Sequence, residues 1–65
     1  QDYNEAVRLY REAAQRGIPA SKYHLGYCYE NGLGVDKDMD QAVKLYRESA
    51  DAEPRSAQAL KRLGY

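Results

Sequence analysis

The stretch DYNEAVRLYREAA, Asp2 to Ala14, returns 36 residues later as DMDQAVKLYRESA, Asp38 to Ala50, and this return decides the fold. In the first copy Tyr3, Ala6, Val7, Tyr10, Ala13 and Ala14 fall at helical spacing. Met39, Ala42, Val43, Tyr46, Ser49 and Ala50 reproduce the pattern in the second. Each copy is therefore predicted to be an amphipathic helix. Each opens on an acid with a side chain three places later that can reach back, Asp2 with Glu5 and Asp38 with Gln41, in the manner of a capping box. A second pair of segments repeats as well: SKYHLGY, Ser21 to Tyr27, matches ALKRLGY, Ala59 to Tyr65, at a displacement of 38. The later unit thus carries two extra residues between Asp51 and Ser56.

Working outward, Gly17 can take the left-handed conformation that stops the first helix, and Pro19 suits the first turn of the next. Pro19 to Asn31 reads as a second helix closed by Gly32. The run Gly32-Leu33-Gly34-Val35 is a tight connector whose glycines permit angles that other residues resist. In the later unit Glu53 stands where the glycine would be, and Pro54 biases it away from helical geometry. A fourth helix is expected from about Arg55, still running at Tyr65. With no strand signal beyond an isolated Val35, the fold class is all-α: about four helices in antiparallel pairs, a short α/α solenoid fragment.

Composition limits the function. The chain has 65 residues and a mass of 7.4 kDa, too small for a large enzyme core. Its hydrophobic fraction is 43%, yet the mean hydropathy is -0.89, so the apolar groups must lie in narrow stripes. No apolar run reaches the length of a membrane span, so membrane insertion is not expected. Ten Lys plus Arg balance ten Asp plus Glu, which removes the electrostatic case for nucleic acid. A single cysteine cannot form an internal disulfide and fits a reducing, cytoplasmic setting.

Ser21, Leu25-Gly26 and Tyr29 on one helix, the turn Gly32-x-Gly34-Val35, the acid Asp38, and then Ala42, Tyr46 and Ala50 resemble the Sel-1-like repeat, a relative of the tetratricopeptide repeat. On that resemblance residues 2–16 are the second helix of a preceding repeat. Residues 18–53 are one complete repeat, and residues 55–65 are the first helix of a following repeat or a cap. The resemblance implies an adaptor in protein complexes, from membrane-protein quality control to bacterial signalling and cell-wall synthesis, and it does not imply catalysis. The secreted, cysteine-rich branch of the family carries two cysteines per repeat, which this chain lacks. Missing an initiator methionine and with its fourth helix still open, the chain is expected to be a trimmed piece of a longer solenoid.

At 100° per residue Ser21, Leu25, Cys28 and Tyr29 share one side of the second helix, assigned to the core. Gly26 lies at its edge, where a missing side chain lets the next helix approach closely. Tyr23, Tyr27 and Glu30 lie opposite, flanked by Lys22 and His24. In solenoids of this kind the first helices line the concave face, so these five residues are the candidate partner surface: tyrosines for contact area, charges for register. The competing reading packs both rings against a neighbouring helix.

Other chemistry finds no support. His24 and Cys28 are spaced for two zinc ligands, but no second Cys or His completes a site. Asp36-Lys37-Asp38-Met39-Asp40 starts like a calcium loop but has Gln41 at the sixth position and Arg47 at the twelfth. No metal and no cofactor is expected. The expected function is therefore a non-enzymatic interaction module holding a peptide or partner helix. One alternative is a regulatory or substrate-targeting domain of a larger enzyme such as a kinase. Another is a spacer or oligomerisation segment, self-associating through exposed end helices.

Overall fold

The computed structural model describes residues 2–65 and contains four α-helices: α1 Tyr3–Gln15, α2 Pro19–Asn31, α3 Met39–Ser49 and α4 Pro54–Leu63. Among the described residues there is no strand. The predicted caps are half realised. Asp2 accepts from the backbone N–H groups of Asn4 and Glu5, and Asp38 from that of Gln41. Glu5 does not reach back, because its carboxylate is engaged by Arg8 one turn on. Arg8 also binds Glu12 at 3.1 Å.

The helix ends follow the glycine arithmetic. Gly17 has φ +83°, and the N–H groups of Gly17 and Ile18 close α1 on the carbonyls of Ala14 and Ala13. The later unit solves the same problem without a left-handed residue. Ala52 and Glu53 donate to the Ser49 carbonyl, Glu53 becomes an extended N-cap at φ -127°, and Pro54 takes the first helical position. The expectation that the fourth helix runs on to Tyr65 needs correction: Gly64, at φ +90°, ends it, with its N–H donating to the Lys61 carbonyl.

Packing is sequential, as in a solenoid. The interface between α2 and α3 is the most extensive, followed by α1 with α2 and α3 with α4. Val7, Ala14, Leu25, Cys28 and Leu45 form one buried cluster, and Ala42, Tyr46 and Ala59 form another. Gly26 lets α2 and α3 approach closely, since a Cβ there would sit 2.9 Å from the Tyr46 ring and 3.3 Å from the Ala42 carbonyl oxygen. Ser49 and Ser56, both buried, share a 2.6 Å hydrogen bond that joins α3 to α4. No helix is long and apolar enough to cross a membrane.

Candidate functional site

The α2 face is built by its register. Tyr23, His24 and Tyr27 are neighbours, with ring centroids 5.3 Å apart for Tyr23 and His24 and 6.4 Å for Tyr23 and Tyr27. Their environments differ. Tyr23 is half-buried, its ring 6.0 Å from that of Tyr46 and 4.6 Å beneath the Arg55 guanidinium. Tyr27 lies one turn further on and is 45% exposed, with no helix laid over it. His24 stacks on Tyr10 of α1 at 5.0 Å. Partial burial holds its pKa below the usual imidazole value, and Arg55 adds to the effect.

Glu30 and Lys22 are engaged within the fold. Glu30 accepts from both terminal nitrogens of Arg62, at 2.7 and 2.9 Å, and from the Tyr46 hydroxyl at 2.7 Å. The Arg62 hydrogen bonds hold its carboxyl below the ordinary carboxylate range, and the Tyr46 hydroxyl adds to this. Burial, reinforced by Glu30, pushes the Tyr46 phenol up. Lys22 turns toward α3, with Nζ 3.4 Å from Glu48. It lines a groove of about 400 Å³ with Arg11, Leu25, Tyr29, Lys44 and Leu45, away from the tyrosines. The five candidates therefore divide: three aromatic rings lie together, Glu30 ties α2 to α4, and Lys22 belongs to another surface.

The fourth helix contributes residues that the sequence reading left out. Arg55, Gln58, Ala59 and Arg62 join Tyr23 around a hollow of about 230 Å³. The 38-residue displacement was the available signal, because it sets Arg62 in α4 at the place of His24 in α2. Cys28 is 2% exposed, and burial raises its thiol pKa. Among the described residues no three of His, Cys, Asp and Glu converge.

The family model described as the Sel1 repeat matches residues 1–18 and 19–54. The rat (Rattus norvegicus) protein named DAP3-binding cell death enhancer 1 is 47% identical over 49 residues, which is 75% of this chain and 10% of that protein. The chitin synthase regulator SKT5 of Saccharomyces cerevisiae is 41% identical over 56 residues, 86% of this chain and 8% of that protein. The ERAD-associated E3 ubiquitin-protein ligase component HRD3 of Candida glabrata is 40% identical over 45 residues, 69% of this chain and 5% of its own length. The chain thus spans a tenth or less of these relatives. No solved structure matches it.

Proposed function

The chain belongs to the Sel1 repeat family, and from that premise we propose that it is a non-enzymatic interaction module that holds a peptide or partner helix on the α2 face around Tyr27. One observation carries this reading. Tyr27 is a large exposed ring beside Tyr23, which itself lines the hollow between α2 and α4. A rigid aromatic with a polar tip contributes contact area at low entropic cost, the profile of an interface anchor. Tyr23 acts as its support, and His24 borders it on the α1 side.

The relatives' names support an adaptor role rather than a reaction. One is named for the protein it binds, one for the synthase it regulates and one as a component of a ligase. The same names favour a second reading, in which the module is a regulatory part attached to a larger assembly.

Peptide selection by display on the folded chain, followed by titration, tests the site. Tyr27→Ala should weaken selected peptides about tenfold or more, the loss typical of an aromatic anchor, without changing helicity by circular dichroism. Lys44→Ala, in the groove beyond Lys22, should leave them bound. Peptides that ignore Tyr27→Ala and are lost with Lys44→Ala would move the site to the other groove.

A further inference from the structure

Two hollows on the molecule are basic, and only one of them keeps its charge. Around the hollow between α2 and α4, Arg55 is bound to Glu53 and Arg62 to Glu30, so each guanidinium already has a carboxylate. The groove of about 400 Å³ is formed where α1, α2 and α3 meet, and its lining includes Arg11, Lys22, Lys44 and a single carboxylate, Glu48. Glu48 is taken by Lys22, at 3.4 Å. Among the described residues, Arg11 and Lys44 enter no ion pair. Two positive charges are therefore uncompensated in one groove of a chain whose net charge is zero. Arg11 is also positioned: Nη2 donates to the Tyr29 hydroxyl at 3.2 Å, and its other N–H groups have no side-chain acceptor. Leu25, Leu45 and the Tyr29 ring set apolar surface beside these charges.

We propose that this groove binds a phosphorylated segment of a protein partner. The phosphate takes Arg11 and Lys44, and the apolar part of the segment beside it lies on Leu25, Tyr29 and Leu45. A phosphate monoester carries a charge of about −1.5 to −2 at pH 7, which matches two unpaired cations where one carboxylate would leave a cation over. The planar fork of Arg11 suits phosphate oxygens, and Lys44 supplies a point charge from α3. Glu48 limits the attraction by occupying Lys22. The groove and Tyr27 share no residue, and the peptides held at Tyr27 need no phosphate, so the two readings stand or fall separately.

Titration of the chain with acetylated, amidated phosphotyrosine, followed through its amide resonances, tests the groove. Saturable shifts should centre on Arg11 and Lys44, and the same compound without its phosphate should bind about tenfold or more weakly. Arg11→Gln and Lys44→Gln, both at exposed side chains, should each weaken binding about threefold or more. Glu48→Gln, which releases Lys22, should tighten it, a gain that no loss of structure would produce. Tyr27→Ala should leave it unchanged. The absence of saturable shifts up to about 20 mM, shifts centred on Arg55 and Arg62, or equal binding by inorganic phosphate or by the unphosphorylated compound would overturn the proposal.

Discussion

Helices α1 and α3 carry nearly the same sequence, and the fold treats them differently. Ala42, Leu45, Tyr46 and Ser49 are all buried on α3, whereas their counterparts Ala6, Leu9, Tyr10 and Ala13 are exposed or half-buried on α1. The reason is adjacency. α3 lies between α2 and α4, while α1 packs mainly against α2. Local sequence makes each segment a helix and selects its apolar stripe. The energetic worth of a residue on that stripe depends on what covers it, as expected for a quasi-one-dimensional array.

Paired substitutions measure the contrast. Tyr46→Ala removes a fully buried ring and the hydroxyl that anchors Glu30, for a cost of about 3–5 kcal/mol. That is comparable to the whole stability of a domain this small, about 3–10 kcal/mol, so urea melts should show a largely unfolded chain. Tyr10→Ala at the matching position should cost about 1 kcal/mol. Equal losses would break the comparison. Leu45→Ala is expected to cost about 2–3 kcal/mol, against about 0.5 kcal/mol for Leu9→Ala.

Gly34→Ala asks what fastens α1 at its N-terminal end. Gly34 sits at φ +73°, and an added Cβ would lie 2.5 Å from the Tyr3 carbonyl oxygen, so the connector must move away from α1. The cost, about 2 kcal/mol from left-handed strain and overpacking, should appear as faster amide exchange in α1 than in α3. Uniform loss across both helices would show that α1 is not the separable element.

The smallest effect is that of pH. The folded pKa values of both His24 and Glu30 are depressed, so each contributes stability that is complete above its ordinary value, 6.5 and 4.5 respectively. That stability is lost as pH falls through the folded value. His24 packs on Tyr10 of α1, and Glu30 holds Arg62 of α4, so the two steps report different ends of the molecule. Thermal melts should fall first below about pH 6.5, a step that His24→Gln removes, and then below about pH 4.5, a step that Glu30→Gln makes smaller.

The sequence was legible wherever a rule is local. Helical periodicity, Gly17, Gly32 and the caps at Asp2 and Asp38 all act within a turn or two of chain, and the structure has the helices where they place them. Gly26 was also readable, because a glycine inside an amphipathic helix marks close approach. The candidate partner face was less legible. Angles on α2 place Glu30 and Lys22 on or beside the tyrosine side. They do not reveal Arg62 arriving from 32 residues away to bind Glu30, or Glu48 drawing Lys22 to the other groove. The end of α4 escaped as well: Leu-Gly-Tyr continues a helix at Leu25–Tyr27, where Gly26 stays helical, and ends one at Leu63–Tyr65, where Gly64 turns to φ +90°.

Amide hydrogen exchange resolved by residue is the most direct test that neighbours, and not sequence, set stability along this chain. The account predicts that amides from Val43 to Tyr46 exchange only through global unfolding, and that their counterparts from Val7 to Tyr10 exchange about tenfold or more faster through local opening. Equal protection in the two matched segments would contradict it.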